Sequence, residues 1–334
     1  MKLTNSNDFN DILNLITTYK QKAYKEVNKA LIELYFSIGR YLFDKVNKEK
    51  WGKSVIENLE KYLKEKEPNI KGFTARNLWR MKQFYETYKD NQKLTTVLTE
   101  ISWSNNLLIM SSTKTDEERE FYILMTNKER YTYRELQRQI RTSLYERTML
   151  ANKNFSDNVK KLPQDTTNRF RDSYVLEFLD LPKIYKEKDL QKSLISSLKD
   201  FILEAGKGFA FIGREYKVQV GKSDFYIDLL FYHRHLRCLV AFELKTTSFK
   251  PEYLGQLEFY LEALDQDVKT VDENPSIGVL LCREKDDEVV KYALNRSISP
   301  TIISEYETKL IPKKILREKL NELYSLLEQK DTDE

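Results

Sequence analysis

Apolar residues recur at helical spacing through the first part of the chain. In residues 8–48 they fall three or four positions apart, which predicts one or two long helices. Pro68 ends the helix that follows, because proline has no backbone N–H to continue it, and Thr74 is a predicted N-cap for the next one. These later helices are predicted at 53–66, 74–88, 116–126 and 132–150.

A different pattern begins after a polar stretch without periodicity at 151–168, which reads as an interdomain linker. Short runs rich in aliphatic and aromatic residues predict strands at 209–213, 215–220, 225–232, 239–244 and 276–282. Helices are predicted around them at 188–204, 252–263, 287–294 and 313–328. The chain is therefore expected to be an α+β multidomain protein, with an all-α domain at 1–150 and an α/β domain at 169–334 whose mixed sheet is flanked by helices.

Three charged residues interrupt the two most apolar strands. Asp228 lies in one strand, and Glu243 and Lys245 lie in or just after the next. A lone carboxylate inside such a strand is costly to bury, so these charges require an explanation. Residues i and i+2 of a strand share a face, and pairing the strands as a hairpin brings Asp228 to the same place. Two carboxylates and an ammonium group at a sheet edge suit a hard divalent cation beside a phosphate.

This arrangement resembles the PD-(D/E)XK nuclease superfamily, whose motif is an acid on one strand followed by Glu-x-Lys on the next. Ile227 stands where the family usually has proline, which leaves the ligands intact. Gln256 and Tyr260 match the Gln-x-x-x-Tyr pattern of the following helix, where residues four apart share a face. The resemblance implies a restriction-endonuclease-like fold for 169–334.

The chain also resembles the YhcG family of bacterial nuclease-domain proteins over roughly residues 170–320. Its helical N-terminal part resembles that family's N-terminal domain as well. The segments that carry the resemblance are Leu203–Glu215, Asp224–Val240, Phe249–Gln256, Trp51–Leu59 and Phe73–Lys82.

These resemblances imply a metal-dependent site. Asp228, Glu243 and the Leu244 carbonyl would hold Mg²⁺ or Mn²⁺, and Lys245 would orient the attacking water. Gln256 would hydrogen-bond the water or a phosphate oxygen, with Tyr260 packed behind it.

A further acid is expected on the helix before the sheet, but relatives tend to have Glu where this chain has Gln191. Glu187 or Glu204 could substitute for it, so the choice between one metal ion and two stays open.

Charge is distributed unevenly along the 334 residues. Residues 1–150 carry 27 Lys and Arg against 20 Asp and Glu, a net +7, whereas residues 151–334 carry 29 against 32, a net −3. The basic excess suggests that the N-terminal half supplies affinity for a polyanion. There is no apolar run of about 18 residues and no signal-peptide pattern at the N-terminus, so a cytoplasmic protein that does not span a membrane is expected.

Two sets of side chains are candidates for nucleic-acid contact. Helices 53–66 and 74–88, joined by a turn at Gly72, have the outline of a helix-turn-helix. One face of its second helix presents Arg76, Asn77, Arg80 and Gln83, and a ridge of the helix predicted at 132–150 presents Arg134, Arg138 and Arg141. The alternatives are a solvated helix face for the first set, and packing against acidic residues of the second domain for the ridge.

The sequence therefore predicts a Mg²⁺-dependent nuclease acting on DNA, double-stranded or branched. Two alternatives stay open. One is an RNA nuclease. The other is a nucleic-acid-binding or assembly subunit of a defence or restriction complex whose nuclease fold is weak or inactive. A homodimer is open as well.

Overall fold

A computed structural model describes residues 6–49, 51–151, 155–162 and 166–332. Contacts within the chain divide it into two compact units, Met1–Ile140 and Arg141–Glu334. None of the helices in the described residues is both long and apolar enough to cross a membrane.

The first unit is helical. Residues 8–48, predicted as one or two helices, lie in a single 44-residue helix. Thr74 caps α3 as predicted, because its hydroxyl accepts a hydrogen bond from the Asn77 backbone N–H (3.3 Å). The helices are α1 (Ser6–Glu49), α2 (Lys53–Lys66), α3 (Ala75–Tyr88), α4 (Gln92–Glu100), α5 (Trp103–Ser112), α6 (Asp116–Glu129) and α7 (Tyr133–Arg141). The short helices α4 and α5 were not predicted.

The core of the first unit forms where α1 crosses α3. Tyr35 and Leu42 of α1 pack with Leu78 and Met81 of α3. The two backbones approach closely at Gly39, where an added Cβ would collide with the Met81 carbonyl. The second half of α1 is thereby held against the helix that follows the turn.

The helix predicted at 132–150 is broken, contrary to expectation. Ser143 adopts a left-handed conformation (φ 54°) between the end of α7 at Arg141 and the start of α8 (Leu144–Met149). The Arg147 side chain donates to the Thr142 carbonyl at the break (2.9 Å) and to Glu204 (3.2 Å). Buried partners distant in sequence thus decide the break, and they place α8 in the second unit.

The stretch predicted as a linker also differs from expectation. Phe155 forms a bridge with Ile302, and Val159, in the short helix α9 (Asp157–Lys160), is fully buried in the core of the second unit. The described part of 151–168 is therefore packed chain rather than a free connection.

Six strands of the described residues form one sheet in the second unit. Its order is β1-β6-β5-β4-β3-β2, with β2–β3 and β3–β4 antiparallel and the remaining pairs parallel. The strands are β1 (Ser173–Val175), β2 (Phe209–Val220), β3 (Ser223–His233), β4 (Cys238–Leu244), β5 (Ile277–Cys282) and β6 (Thr301–Glu307).

Helices cover both faces of this sheet, as the α/β prediction requires. They are α10 (Glu187–Ser196), α11 (Leu198–Ala205), α12 (Glu252–Asp267) and α13 (Asp287–Leu294). The last helix, α14 (Lys313–Thr332), contacts α8 instead, where Arg317 donates to Glu146 (3.0 Å). One core lies under α10 and α11 and the other under α12 and α13. Two details differ from the predictions: the helix expected at 188–204 is interrupted at Ser197, and the strands expected at 209–213 and 215–220 are one strand with a bulge between Phe211 and Gly213.

Candidate active site

Adjacent strands bring the predicted acids together. Leu229 of β3 pairs with Phe242 of β4, so Asp228 faces Glu243 across the ladder. Asp228 is two residues from Leu230, and Glu243 is two residues from Ala241, so both acids point to the same face of the sheet as these two residues. Leu230 and Ala241 pack under α12. Lys245 follows the end of β4 on the same side as Glu243. The three charged residues therefore meet on the α12 face of the sheet.

Lys245 is the cation of this cluster. Its Nζ donates to Oε1 of Glu243 at 2.9 Å, and a second carboxylate oxygen, Oε2 of Glu187, lies 3.8 Å away. The ammonium also lies 5.2 Å from the centre of the Tyr253 ring. Lys245 is buried, so its ammonium is held in one position by these contacts.

Asp228 is fixed from two sides. Its Oδ2 accepts a hydrogen bond from the Leu244 backbone N–H (2.8 Å), and its Oδ1 accepts one from the Gln191 amide (3.2 Å). Gln191 lies on α10 and is itself buried. The amide therefore occupies the place where a helix acid was expected, and it positions the Asp228 carboxylate without adding negative charge.

Burial dominates the electrostatics of the acids. It raises the pKa of Glu243 to about 7, and the charge of Asp228 adds to the rise, although Lys245 opposes it. Burial also raises the pKa of Asp228, against the stabilising N–H of Leu244 and the charge of Lys245. Burial alone would lower the pKa of Lys245, but the surrounding carboxylates outweigh it and raise that pKa. Two partly desolvated carboxyl groups share one ammonium group, which leaves the site short of positive charge.

The donor set fits a divalent cation. Oε2 of Glu243 is buried and has no hydrogen-bond partner among the described residues. A buried carboxylate oxygen without a donor is costly, and an added cation would satisfy it. No cluster of three or more His, Cys, Asp or Glu side chains in the described chain is arranged to hold a metal ion. The ligands available are thus two carboxylates with backbone oxygen and water.

Of the two alternatives for the helix acid, the structure brings only Glu187 to the site. Glu204 is fully buried elsewhere, where it pairs with Arg147 (3.2 Å) and Arg171 (3.1 Å) and accepts from the Val175 N–H (2.9 Å). Glu187, at the start of α10, lies beside Lys245 and is half-exposed. Of the two helix acids considered, Glu187 is therefore the one that lies near the Asp228–Glu243–Lys245 cluster.

Sequence reasoning missed Glu215. This residue of β2 lies between Arg214 and Tyr216, which pair with Leu229 and Ile227, so it is opposite Asp228. Its charge contributes to the raised pKa of Asp228, and its backbone has the left-handed φ of 43°. The neighbouring acid Asp224 is instead tied to Lys217 at the surface (2.8 Å). Only the register of β2 against β3 distinguishes these two acids.

Gln256 and Tyr260 lie four residues apart on α12, as predicted. The Gln256 amide donates to the Tyr260 hydroxyl (2.7 Å). Tyr260 is buried, its pKa is raised by that burial, and the charges of Glu243 and Asp228 act on it. Gln256 is exposed at the rim. Tyr260 is therefore the member of this pair that lies within electrostatic reach of the acids, and the Gln256 amide is bonded to its hydroxyl.

The candidate contact face of α3 is only partly available. Arg76 and Gln83 are exposed and Arg80 is half-buried. Asn77 has structural partners instead: its amide nitrogen donates to the Gly72 carbonyl, and its oxygen accepts from the Trp103 indole (3.0 Å). Asn77 therefore stabilises the turn before α3, while the two arginines and Gln83 stay candidates for nucleic-acid contact.

The three arginines of the predicted ridge differ in their exposure and in their contacts. Arg134 is exposed and Arg138 is half-buried on α7. Arg141, the last residue of α7 and the first residue of the second unit, pairs with Glu177 of the same unit at 3.0 Å, although 60 % of its side chain is exposed. For Arg141, packing against an acidic residue is the alternative that the structure favours.

Comparison with known proteins gives matches over nearly the whole chain. The description "YhcG PDDEXK nuclease domain" matches residues 167–321, and the description "DUF1016 N-terminal domain" matches residues 11–147. A protein of Escherichia coli (strain K12) named "Putative nuclease YhcG" is 31 % identical over 354 residues, covering 95 % of this chain and 94 % of that protein.

Two solved structures show partial similarity. One is described as a repair endonuclease from Pyrococcus abyssi (17 % identity, TM-score 0.26) and the other as a complex of EndoMS with double-stranded DNA (18 % identity, TM-score 0.29). Each match covers 39 % of this chain, and the chain spans about half the length of those proteins, 50 % and 49 % respectively.

Proposed function

The chain belongs to the YhcG family of proteins with a C-terminal PDDEXK nuclease domain, and on that premise we propose that it is a metal-dependent nuclease that hydrolyses phosphodiester bonds in DNA. The observation that carries the proposal is the convergence of Asp228, Glu243 and Lys245, with Oε2 of Glu243 buried and unsatisfied.

Asp228, Glu243 and the Leu244 carbonyl would hold the ion in this proposal. A bound Mg²⁺ or Mn²⁺ supplies charge neutralisation at the phosphate and lowers the pKa of a coordinated water. Gln191 and the Leu244 N–H keep the Asp228 carboxylate in a fixed orientation, which lowers the cost of ordering it.

Lys245 would act on the attacking water in this proposal. Its ammonium is held by Glu243 and Glu187 at the edge of the sheet, and it can donate to a water or to a phosphate oxygen that gains charge. Gln256 would add a hydrogen bond from the rim. Glu187 and Glu215 add negative charge around the two ligand acids, which increases the attraction for a cation.

The proposal is tested on the purified full-length protein. Plasmid, linear, branched and single-stranded DNA, and RNA, are incubated with Mg²⁺, with Mn²⁺ or with EDTA. We expect cleavage of duplex or branched DNA only with metal, and loss of cleavage in Asp228→Asn and Glu243→Gln. Calorimetric titration with Mn²⁺ should show that both variants lose binding.

Asp224→Asn is the matched control, because it removes a carboxylate from the same strand that faces Lys217 instead. It should retain cleavage and metal binding. Cleavage in excess EDTA, or undiminished cleavage by either acid variant, would show that the metal site is wrongly assigned. Cleavage of RNA alone would replace the DNA proposal with a ribonuclease. Metal binding without any cleavage would favour a binding or assembly subunit.

A further inference from the structure

Tyr253 lies beside the ammonium group of the candidate active site. It belongs to the first turn of α12, its side chain is half-buried, and the centre of its ring is 5.2 Å from Nζ of Lys245. Gln256 and Tyr260 follow three and seven positions later, so the three side chains lie on one face of the helix. Tyr253 therefore extends the Gln-x-x-x-Tyr pattern by one turn toward Lys245.

The far end of the Tyr253 ring is fixed as well. Its hydroxyl shares a hydrogen bond with the hydroxyl of Thr247 (2.9 Å), two residues beyond Lys245. The backbone of this segment is tied to β5 and the residue after it. The Lys245 N–H donates to the Leu281 carbonyl (2.9 Å), and the Arg283 N–H donates to the carbonyl of the same threonine (3.1 Å). The ring is thus held by α12 at one end and by the edge of the sheet at the other.

A contact of this kind keeps a lysine ammonium in one place. The lysine side chain is a flexible four-carbon stem, and ordering it costs conformational entropy. Glu243 accepts one hydrogen bond from Nζ of Lys245 (2.9 Å), whereas Glu187 at 3.8 Å is too distant for one.

The aromatic ring holds the cation in a different way from a carboxylate. The face of the Tyr253 ring attracts the ammonium electrostatically and takes up none of its N–H groups. An ammonium has three donors, of which Glu243 uses one. The ring therefore fixes Lys245 without using the donors that the attacking water or a phosphate oxygen would need.

We propose that Tyr253 is a positioning residue for Lys245, whose ring holds the ammonium at the edge of the sheet and leaves its remaining N–H groups for water or phosphate. The role of those N–H groups rests on the proposed function. Tyr253 also packs against the core under α12, so a role in packing alone is the alternative.

Single-turnover cleavage by the full-length protein tests the effect on the reaction. We expect Tyr253→Leu to slow cleavage by roughly tenfold, the worth of one partly desolvated cation–π contact, while Mn²⁺ affinity stays within a few-fold of the wild type. Tyr253→Phe keeps the ring and should stay within a few-fold of the wild-type rate. Tyr292→Leu is the matched control, because it makes the same change at a tyrosine of α13 that is 78 % exposed, and it should cleave normally.

The double variant Tyr253→Leu/Lys245→Met separates positioning from packing. If the ring acts through the ammonium, its removal should cause no further loss once Lys245 is replaced, because the effects of two residues that act as a unit are not additive. A further loss of the same size in the double variant would overturn the proposal. A wild-type rate in Tyr253→Leu, or equal losses in Tyr253→Leu and Tyr253→Phe, would overturn it as well.

NMR of the protein, isotope-labelled at the lysine ε carbons, tests the contact without any cleavage. Methylene protons beside an ammonium that lies over an aromatic ring are shifted upfield by the ring current. The Lys245 signal is identified by its absence in Lys245→Met, and we expect it to move toward the ordinary lysine position in Tyr253→Leu but not in Tyr292→Leu. An unmoved signal in Tyr253→Leu would overturn the proposal. A wild-type protein that shows the shifted signal but cleaves no nucleic acid would support the positioning of Lys245 by Tyr253 and would refute the proposed function instead.

Discussion

Lys245 lies between the carboxylates of Glu243 and Glu187. In the proposed function this lysine acts in the reaction rather than in folding. Removing a charge that acts mainly on the transition state lowers the rate of cleavage far more than the affinity. In Lys245→Met we expect single-turnover cleavage to slow by about 10²–10³-fold, the loss typical of one stabilising donor.

Mn²⁺ affinity should stay within a few-fold of the wild type in that variant, because Asp228 and Glu243 remain. Lys250→Met removes an exposed lysine near the start of α12 and should cleave normally. Equal losses of metal binding and cleavage in Lys245→Met would reduce the lysine to a structural partner of Glu243.

A second prediction at the residue scale concerns Gln191 and the binding of Mn²⁺. Its amide lies 3.2 Å from Oδ1 of Asp228, so Gln191→Glu places a third carboxyl group beside the ligands. We expect the variant to bind Mn²⁺ about tenfold more tightly or to bind a second ion, as measured by calorimetry.

Gln266→Glu introduces the same change at an exposed position on α12 and should leave the titration as it is. Unchanged affinity and stoichiometry in Gln191→Glu would mean that α10 cannot supply a ligand.

At the scale of elements, α12 approaches β5 at Gly278. A Cβ there would lie 2.8 Å from Cγ of Leu257 and 3.0 Å from Cδ1 of Leu261, so the helix that carries Gln256 and Tyr260 has to shift. We expect Gly278→Ala to lower the free energy of unfolding by about 1–3 kcal/mol, measured by urea denaturation.

Gly255→Ala is the opposite case on the same helix. A Cβ there meets nothing within 4 Å, and replacing a helical glycine with alanine should raise the free energy of unfolding by about 0.5–1 kcal/mol. Equal effects at the two glycines would contradict the close packing of α12 on β5.

The β3–β4 hairpin contains a buried histidine. Nδ1 of His233 accepts the Leu236 N–H (3.1 Å), and burial lowers the pKa of His233 to about 4. Unfolding restores an ordinary pKa of about 6.5, so the unfolded chain binds one more proton between these values. The neutral, buried His233 therefore contributes fully to the free energy of unfolding above about pH 6.5, and this contribution is lost as the pH falls toward 4.

We expect His233→Asn to lose less stability than the wild type between pH 6.5 and pH 4, because asparagine keeps an acceptor and cannot gain the proton. Urea denaturation across this pH range measures the difference. His235→Asn changes an exposed neighbour and should follow the wild type. Parallel curves for His233→Asn and the wild type would contradict this account.

At the scale of the whole molecule, the +7 charge of residues 1–150 remains a prediction of nucleic-acid affinity. If Arg76 and Arg80 of α3 each neutralise a phosphate, Arg76→Gln/Arg80→Gln in the full-length protein should flatten the slope of log K against log salt by roughly two units. Fluorescence anisotropy with duplex DNA measures it.

Arg141→Gln is the comparison, since Arg141 already pairs with Glu177 and should leave the slope nearly unchanged. A slope unaffected by the α3 double variant would assign duplex binding to other residues, and α3 would then be an ordinary packed helix.

Local signals in the sequence determined several elements and the centre of the site. The bounds of α2 follow from helical periodicity and from Pro68, which lies two positions beyond its last residue, and the bounds predicted at 287–294 agree with α13. The sequence also predicts that three charged residues lie close together, namely Asp228, Glu243 and Lys245. The reason is that strand alternation and a short hairpin leave few ways to pair β3 with β4.

The tertiary structure alone decided what depends on partners distant in sequence. Glu187 and Glu204 are equivalent acids in the sequence, but Arg147 and Arg171 hold Glu204 away from the site. The break at Ser143 and the inclusion of Val159 in the core likewise depend on contacts with residues far along the chain. Periodicity and spacing report on neighbours along the chain, whereas the burial of a charge or the end of a helix is decided by the groups that pack against it.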